Sequence, residues 1–515
     1  MTDVRTVRVD VGPVSCDDVV AVARGEAPVE LTEEACTAVA AARVAVEKLA
    51  EAPTPAYGIS TGFGALATLH IPAQQRAQLQ RSLIRSHAAG SGDEVEREVV
   101  RAMMLLRLST LATGRAGVRL ETAQGLAALL SAGVTPVVYE YGSLGCSGDL
   151  APLAHCALAL LGEGDVRDRA GARRSAAEVL AEEGIAPVDL TAKEGLALIN
   201  GTDGMLGMLV LACEDLAALL RAADVAAAMS VEALLGTDRV FAAELVALRP
   251  HPGQSASAAN LRRLLEGSGV MASHRTPECH RVQDAYSLRC APQVHGAARD
   301  TLAHAGVVAE RELAAAIDNP VVLPDGRVES NGNFHGAPLA YALDFLAIAA
   351  ADVASMAERR TDRYLDPNRS NGLPAFLAAE PGVDSGHMIA QYTQAAVVAE
   401  LKRLAAPASV DSIPTSAMQE DHNSMGWSSA RKLRRSLDGL ATVVAIEILT
   451  GARALDLRGP LVPARATAAV VETLRDRVPG PGADRYLAPD IATAVELVRT
   501  GALVAAAESV TGPLD

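Results

Sequence analysis

Three glycines, two serines and a cysteine lie within seven residues at the start of the stretch GSLGCSGDLAPLAH, residues 142–155. Their types and spacing raise the question of a nucleophile. A serine nucleophile needs the pattern Gly-x-Ser-x-Gly, but Gly148 follows Ser147 directly, so that spacing is wrong. A Cys146 nucleophile needs a nearby base, and His155 is a weak candidate on sequence alone. A plain turn is the third interpretation.

A further possibility is a reaction of the backbone with itself. If a tight turn presses the amide nitrogen of Gly148 onto the carbonyl carbon of Cys146, a five-membered ring can close, and glycine permits so close an approach. Loss of water from the ring and from Ser147 then leaves an exocyclic methylidene. In this interpretation the chain makes its own electrophile.

Other polar or Gly-rich stretches lie beside apolar segments. They are AYGISTGFGAL (56–66), IDNPVV and ESNGNFHGAP (within 317–338) and QEDHNSMGW (419–427). Each alone is more typical of a turn, because Asn, Asp, Gly and Ser bond to nearby backbone or accept positive φ. Their joint occurrence favours a functional site.

Helical patterns separated by Pro and Gly surround these stretches. One places Leu79, Leu83 and His87 at i, i+4 and i+8 and stops near Gly90. Further helices are predicted at 95–111, 122–132, 194–222 with an interruption, 302–317, 386–406 and 421–457. The last run is long for a globular helix and favours a bundle of long helices. The first residues predict a short strand, and 166–174 a loop.

Composition favours the same architecture. Half of the 515 residues are hydrophobic and only 3% are aromatic, and Ala, Leu, Val, Arg and Glu dominate. We predict a mainly α fold, with a long central helical bundle and a smaller N-terminal lobe. The lobe is expected to span residues 1–225 and carry the loop 142–150, and the bundle with the C-terminal helices to span 226–515.

Net charge and cysteine content indicate which binding partners and which cellular compartment to expect. A net charge of −16 disfavours nucleic acid and anionic membranes. No transmembrane segment or signal peptide is evident, and seven cysteines without CxxC spacing indicate reduced thiols in the cytoplasm. The cluster of His274, Cys279, His280 and His295 matches no zinc pattern, so no metal is expected. No nucleotide fingerprint is present either.

The quoted stretches, in order and over nearly the whole chain, resemble the MIO-dependent aromatic amino acid lyase family. The resemblance also rests on LINGTDG (198–204), VQDAYSLRCAPQVHG (282–296), ERR (358–360) and PASVDSIPTSAMQEDHNSM (407–425). It implies a homotetramer with active sites assembled from neighbouring subunits. It also implies a 4-methylidene-imidazol-5-one (MIO) group, formed autocatalytically from Cys146, Ser147 and Gly148.

The implied reaction is the non-oxidative elimination of ammonia from L-histidine to give trans-urocanate, the first step of histidine degradation. Such a lyase must activate the amine and remove an unactivated proton from the β carbon. By resemblance, Tyr57 is the base, and Asn200 donates its amide to the MIO carbonyl oxygen. Tyr286 assists proton transfer or orientation at the MIO.

The resemblance also assigns contacts to the substrate. Arg289 is the clamp for the carboxylate, since a guanidinium binds carboxylate bidentately. Tyr286 and Gln283 lie three and six residues before Arg289 and are expected on the same helical face. Phe334 is an apolar wall near substrate and MIO.

Two residues are expected to select the side chain of the substrate. His87 faces that side chain, although tyrosine could also hydrogen-bond to a histidine. Glu420 discriminates better, because a buried carboxylate is satisfied by the imidazole N–H of histidine and left unpaired by phenylalanine. The QED sequence resembles the histidine-specific members of the family.

Three positions depart from the family pattern: Cys146 stands where Ala is usual, Ser60 where Asn is frequent, and Asn423 where Val often follows QEDH. Cys146 is expected to be a bystander whose thiol beside the ring is sensitive to oxidation or alkylation. The alternatives are a tyrosine or phenylalanine ammonia-lyase or aminomutase, a non-catalytic helical scaffold, and a serine or cysteine hydrolase.

Overall fold

The computed structural model describes residues 5–52, 55–276, 279 and 282–515. Helices contain 59% of the residues and strands 6%, which confirms the predicted mainly α fold. Two compact units are present, each built from three segments. The first comprises Met1–Leu211, Ala305–Asp344 and Pro407–Arg431, and the second Ala212–His304, Phe345–Ala406 and Lys432–Asp515. The predicted division at residue 225 concerned contiguous domains and stays a prediction.

The helices before residue 200 belong to the first unit. They are α1 (Cys16–Ala23), α2 (Glu33–Glu51), α3 (Arg76–His87), α4 (Arg97–Ala112), α5 (Leu120–Ala132), α6 (Leu150–Leu160), α7 (Ala176–Glu182) and α8 (Glu194–Ile199). Side chains of Ser15 and Thr32 accept backbone amides and so begin α1 and α2. The helices predicted at 95–111 and 122–132 and the one ending at His87 are confirmed.

The remaining helices include several long ones. They are α9 (Asp203–Ala233), α10 (Ala243–Val246), α11 (Pro252–Leu264), α12 (Gly269–Ala272), α13 (Tyr286–Arg289), α14 (Ala291–Leu313), α15 (Ala337–Leu365), α16 (Met388–Leu404), α17 (Gly426–Asp456), α18 (Arg465–Arg475), α19 (Ala488–Arg499) and α20 (Ala502–Thr511). The interruption predicted after residue 194 is the turn between α8 and α9.

The helix predicted from Asp421 begins only at Gly426. Met425, with φ of 54°, turns the chain just before the helix. The Ser424 hydroxyl donates to the carbonyl oxygen of Gly145 at 2.7 Å and accepts the Gly426 amide at 3.3 Å. The helix start is therefore set by a contact with the loop that carries Cys146, which periodicity cannot reveal.

Helix α4 forms the buried centre of the first unit. All its residues from Val99 to Ala112 are buried, including Arg107. A buried guanidinium needs acceptors, and Arg107 donates to the carbonyl oxygens of Ala197, Asn200 and Ile317 at 3.3, 2.9 and 2.8 Å. The helix thereby fixes the turn that contains Asn200.

The strands are short and form small sheets. They are β1 (Val7–Val9), β2 (Val29–Leu31), β3 (Ser91–Glu94), β4 (Thr135–Pro136), β5 (Tyr139–Tyr141), β6 (Asp165–Arg167), β7 (Arg173–Ser175), β8 (Val321–Val322) and β9 (Val328–Glu329). Strands β1 and β2 pair in parallel, while β3–β5, β4–β6–β7 and β8–β9 are antiparallel. The predicted N-terminal strand is confirmed.

The loop predicted at 166–174 is wrong, because this segment contains most of the hairpin β6–β7. Arg167 binds the carboxylate of Glu94 with both Nε and Nη2 at 2.7 Å, and Arg173 pairs with Asp165. The pair Arg173–Asp165 joins the two strands of the hairpin, and Arg167–Glu94 ties β6 to β3, so these ion pairs stabilise a segment whose charge is more typical of a loop.

In the second unit, α13 is attached to a buried ion pair. Arg360 and Glu447 are both fully buried, with Nη2 and Oε2 2.9 Å apart. Arg360 Nη1 also donates to the carbonyl oxygen of Ser287 at 3.2 Å. The ERR segment thus holds the short helix that carries Tyr286 and Arg289.

Two helical stretches, Glu194–Ala233 and Ala337–Leu365, are long and apolar enough to cross a membrane. Their apolar windows are, however, 94% and 61% buried within the protein. Both stretches therefore pack mostly against other parts of the protein.

Candidate active site

The loop 142–150 folds as a tight turn before α6. Gly142, Gly145 and Gly148 all have positive φ, which favours glycine at each position. The Ser143 hydroxyl accepts the Gly145 amide at 3.2 Å and donates to Asp149 Oδ1 at 2.9 Å. The glycines therefore define a fixed conformation of the loop.

Gly148 packs directly on the turn between α8 and α9. A Cβ atom on Gly148 would lie 2.2 Å from the carbonyl oxygen of Gly201 and 2.6 Å from its nitrogen. The Asp149 amide donates to the same Gly201 oxygen at 2.7 Å. Only glycine fits this contact. Gly148, which would supply the ring nitrogen, cannot be replaced by a residue with a side chain without moving the two turns apart.

Asp149 ties the loop to the start of α9. Its Oδ2 accepts the amides of Gly204 and Met205, both at 2.9 Å. Burial, aided by the nearby charge of Asp203, raises the pKa of Asp149 to about 7 despite these donors. Sequence reasoning missed Asp149, although its position directly after Ser-Gly and before a helix was a usable signal.

Asn200 directs its amide at the serine of the loop. Nδ2 donates to the carbonyl oxygen of Ser147 at 3.2 Å, and Asn200 is 5% exposed. In the described part of the chain, Asn200 Oδ1 has no hydrogen-bond partner. Since Ser147 is an unmodified serine in this structure, this donor already points where the predicted MIO carbonyl oxygen would lie. The geometry fits the predicted group.

Glu420 meets the same loop from the other side. Its Oε1 accepts the Ser147 hydroxyl at 3.1 Å, and its Oε2 lies 3.3 Å from Cys146 Sγ and 3.0 Å from Thr415 Oγ1. Glu420 is partly buried and not fully buried as expected. It accepts hydrogen bonds from the loop on both carboxylate oxygens.

A strained turn presents Glu420. The backbones of Thr415 and Glu420 pair at 3.0 and 3.3 Å, and Ser416, Ala417 and Met418 between them all have positive φ, from 51° to 69°. Non-glycine residues pay a steric cost in this region, on the order of 1 kcal/mol each. Tertiary contacts must therefore hold the turn.

The thiol of Cys146 is buried against Glu420. Cys146 is 6% exposed. Burial, together with the charge and hydrogen bond of Glu420, raises its pKa to about 12. Because thiolate is the reactive form, the raised pKa disfavours alkylation or oxidation before ring formation, and the predicted sensitivity beside the ring stays a prediction. The expectation that Cys146 is a bystander stays a prediction as well, although its sulfur contacts Glu420.

The alternative of a Cys146–His155 hydrolase finds no support in the geometry. His155 Nε2 accepts the amide of Gly90 at 3.2 Å, and its ring packs edge-on against Tyr139. That nitrogen is already engaged and is not directed at Cys146. Ser147, in turn, donates to a carboxylate and not to an imidazole.

A cavity of about 630 Å³ opens in front of the loop. Tyr57, His87, Ser147, Asn200 and Glu420 all line it. An adjoining cavity of about 420 Å³ shares four of these five, without His87, and adds Cys146 and Phe334. Seven predicted site residues therefore line these two cavities of the first unit.

Tyr57 and His87 come from separate elements of this unit. The Tyr57 hydroxyl accepts the Gly64 amide at 3.3 Å, and Ser60 closes the same turn by accepting the Ala56 amide at 2.9 Å. His87 ends α3, and burial lowers its pKa although Glu420 acts in the opposite direction. His87 is therefore a neutral imidazole at neutral pH, able to donate or accept one hydrogen bond at each nitrogen.

Phe334 lies on the segment after β9 that is fixed to the loop and to α8. The amide of Gly336 donates to the carbonyl oxygen of Gly145 at 2.9 Å. Upstream, the fully buried pair of Lys193 and Asp318 links the start of α8 to this segment, with Nζ and Oδ2 2.5 Å apart. Sequence analysis gave no sign of this ion pair or of the role of Arg107.

Gln283, Tyr286 and Arg289 belong to the second unit. The Arg289 guanidinium lies 4.6 Å from the centroid of the Tyr286 ring, so these two do share a face. Gln283 precedes α13, which begins at Tyr286, so its predicted place on that helical face is wrong. Tyr286 is 70% exposed. Both cavities described above are lined by first-unit residues only.

Within the described residues, no three His, Cys, Asp or Glu side chains are arranged to hold a metal ion. Of the histidine and cysteine cluster considered from sequence, His280 lies outside these residues. His274 Nε2 donates to the carbonyl oxygen of Gly236 at 2.8 Å, and His295 Nδ1 pairs with Asp224 at 2.7 Å.

The fold and the site define the class of ammonia-lyases and related aminomutases. Solved structures with this fold include a tyrosine aminomutase from Streptomyces globisporus (TM-score 0.94, 38% identity, 99% of this chain and 100% of that one). Another is histidine ammonia-lyase from Trypanosoma cruzi (TM-score 0.90, 40% identity, 98% and 96%).

Sequence comparison places the chain within this class. The profile of the aromatic amino acid lyase family matches residues 14–476. Histidine ammonia-lyase of Streptomyces coelicolor is 67% identical over 510 residues, which cover 99% of each chain. That of Sorangium cellulosum is 50% identical over 512 residues, covering 98% of this chain and 99% of the other. The chain belongs to the aromatic amino acid lyase family.

Proposed function

We propose that the chain eliminates ammonia from L-histidine to give trans-urocanate, and so opens histidine degradation. The observation that carries this proposal is that Glu420 and His87 both line the cavity that contains Ser147. A carboxylate at that place is matched by an imidazole N–H and left without a donor by a phenyl ring. Such polar mismatches give discrimination on the order of 10⁴. Full-length relatives with the name histidine ammonia-lyase support the same substrate.

The prosthetic group of this proposal is MIO, derived from Cys146, Ser147 and Gly148. Once formed, it supplies an electrophile for the amine of the substrate. The residues that would hold it are Asn200, whose amide is directed at the Ser147 carbonyl oxygen, and Gly201, against which Gly148 packs. Asp149 fixes the loop to α9. No metal and no nucleotide enter the proposal.

Proton removal from the β carbon falls to Tyr57 in this proposal. Tyr57 lines both cavities together with Ser147, and its hydroxyl accepts the Gly64 amide at 3.3 Å. Phe334 lines the adjoining cavity and excludes water from one side.

The carboxylate of the substrate would bind Arg289, with Tyr286 and Gln283 alongside. These three belong to the second unit, and Tyr286 is largely exposed. We propose that they complete the site of a neighbouring subunit within a homotetramer. An exposed side chain such as Tyr286 gains a function if a second copy covers it.

Self-association is further supported by exposed apolar side chains in the second unit. Ile348 on α15 is 44% exposed, and Ile389 and Tyr392 on α16 are 57% and 62% exposed. An apolar groove of about 550 Å³ runs along α14 and α15 and includes Ile348. Exposed apolar patches of this kind are typical of subunit interfaces. We place the enzyme in the cytoplasm, in keeping with its seven cysteines, none of which has CxxC spacing.

A second candidate is an aminomutase or lyase acting on tyrosine, because a neutral His87 can also hydrogen-bond to a phenol. The fold of the tyrosine aminomutase from Streptomyces globisporus is as similar as that of the histidine ammonia-lyase. Asn423 departs from the family pattern close to Glu420. Its Nδ2 donates to the carbonyl oxygen of Ile413 and its amide to Ser412 Oγ, so it supports the turn before Glu420, and it also lines the adjoining cavity.

The test is turnover of L-histidine, L-tyrosine and L-phenylalanine by the purified chain, followed by the ultraviolet absorbance of the conjugated acrylate. We expect urocanate from histidine only, and an intact mass two waters below that of the encoded chain. Ser147→Ala should lose turnover and keep the full mass. Glu420→Gln should reduce histidine turnover more than any residual aromatic turnover. Lack of urocanate would contradict the proposal, and an unreduced mass would favour a scaffold.

A further inference from the structure

The thiol of Cys146 contacts the carboxylate that is proposed to select the substrate. Cys146 Sγ and Thr415 Oγ1 lie 3.3 and 3.0 Å from the same atom, Glu420 Oε2. Both groups are donors to a carboxylate. The thiol keeps its proton at neutral pH because burial and the adjacent carboxylate raise its pKa to about 12. One oxygen of Glu420 is thus held by two donors from different segments.

The other carboxylate oxygen has a partner that ring formation would remove. Glu420 Oε1 accepts the hydroxyl of Ser147 at 3.1 Å. Of the two waters lost, one takes the carbonyl oxygen of Cys146 with the amide hydrogens of Ser147 and Gly148. The other takes the hydroxyl of Ser147 with its Cα hydrogen. The donors on Oε2 are unchanged by either loss, whereas Oε1 loses its donor.

We propose that Cys146 and Thr415 are positioning residues for substrate selection, which hold Glu420 Oε2 so that Oε1 is left to accept the imidazole N–H of the substrate. This inference rests on the proposed function. Ring formation then has two effects at once, since it creates the electrophile and frees the selecting oxygen. The residue before the reactive serine acts through its side chain as well as its backbone.

The strained turn explains why Glu420 needs these donors. Ser416, Ala417 and Met418 are held in left-handed conformations, and Glu420 itself is only partly buried. A carboxylate at the end of such a turn has other rotamers open to solvent. Two donors on one oxygen fix its orientation, because each restricts the rotation of the carboxylate about its terminal bond.

The first experiment separates binding from chemistry in the complete enzyme. Cys146→Ala removes the donor and inserts the residue usual in the family, and we expect KM for L-histidine to rise about fivefold to tenfold. We expect kcat to change by less than about twofold, because the carboxylate orients the ring and takes no part in proton removal. Cys146→Ser retains a donor and should restore KM.

Matched variants repeat the test on the second donor and on a neutral thiol. Thr415→Val should raise KM as Cys146→Ala does, whereas Thr415→Ser, which keeps the hydroxyl, should not. Cys156 is another buried cysteine, on α6, and Cys156→Ala should leave KM unchanged. Intact mass of every variant checks that both waters have been lost.

A second measurement does not depend on turnover or on ring formation. The Ser147→Ala chain lacks the hydroxyl that occupies Oε1, so it should bind L-histidine, as measured by titration calorimetry. Adding Cys146→Ala to this background should weaken binding about fivefold to tenfold, and adding Cys146→Ser should not.

The outcomes distinguish this inference from the proposed function. If the unaltered enzyme makes urocanate but Cys146→Ala changes neither KM nor the affinity in the Ser147→Ala background, the positioning role is overturned. Failure of Cys146→Ser to restore KM would overturn it as well. If the unaltered enzyme makes no urocanate and Ser147→Ala does not bind L-histidine, the proposed function is wrong. The positioning role, which rests on that function, is then overturned as well.

Discussion

Asp149 shows how one side chain can serve the site from behind the loop. It is fully buried and accepts the Ser143 hydroxyl and the amides of Gly204 and Met205, each at 2.9 Å. Three donors stabilise the anion, yet burial outweighs them and raises its pKa to about 7. The loop is therefore anchored by a carboxyl that takes up a proton near neutral pH.

This pKa makes a prediction about stability. Between its ordinary value of 3.8 and about 7, the folded chain keeps the Asp149 proton while the unfolded chain has lost it. Unfolding then releases a proton, so the free energy of unfolding falls as pH rises through this window, by about 4 kcal/mol in full. The contribution is fully present below the window and lost above pH 7.

The variant Asp149→Asn removes the titration while keeping an acceptor for the two amides. In a Ser147→Ala background, where ring formation plays no part, we expect the melting temperature of the parent relative to Asp149→Asn to fall between about pH 4 and about pH 7. The exposed residue Asp93 provides a control, since Asp93→Asn should show a constant difference. A constant difference for Asp149→Asn as well would refute the assignment.

At the scale of elements, the site depends on two turns whose backbones touch. Gly148 and Gly201 approach so closely that a Cβ on Gly148 would lie 2.2 Å from an oxygen. Arg107 on α4 holds the second turn through the carbonyl oxygen of Asn200, and Asp149 holds the first. Both turns that meet at Gly148 and Gly201 are therefore anchored to helices, which would hold them together during the proposed ring closure.

We therefore expect that Gly148→Ala does not form the ring, because the methyl group pushes the two turns apart. Its intact mass should equal that of the encoded chain, with no water lost. Gly171 is a matched control, with a similar φ of 85° but nothing within 4 Å of its added Cβ. Gly171→Ala should lose about 1 kcal/mol of stability from the backbone alone and still lose two waters. If Gly148→Ala also loses two waters, close packing is not required for ring formation.

Sequence periodicity predicted the elements that carry the site better than it predicted the contacts between them. The helix ending at His87 and the Gly-rich loop follow from local rules, because spacing and positive φ are local properties. Arg107 looks like any surface arginine in the sequence, and its burial depends on three distant carbonyl groups. The start of α17 at Gly426 and the contact of Cys146 with Glu420 likewise depend on residues more than 270 positions apart.

At the scale of the whole molecule, the first unit holds Tyr57, Ser147 and Glu420, while Tyr286 and Arg289 are on the second. Arg360 and Glu447 fix the short helix of these last two residues from within the second unit. Tyr286 is exposed on this anchored helix, so under the proposed assembly a partner subunit would cover it with little loss of order. Catalysis would then depend on assembly.

We therefore expect assembly to be needed for activity. The unaltered protein should elute at about four times its chain mass of 53.2 kDa in size-exclusion chromatography with light scattering. Ile348→Asp puts a charge on the exposed face of α15 and should yield smaller species, because burying an unpaired carboxylate at an interface costs several kcal/mol. Its helicity and intact mass should be unchanged, while urocanate formation falls at least about a hundredfold.

The control Leu248→Asp, at a residue 82% exposed outside this groove, should stay assembled and active. Full activity in dissociated Ile348→Asp would show that each subunit has a complete site.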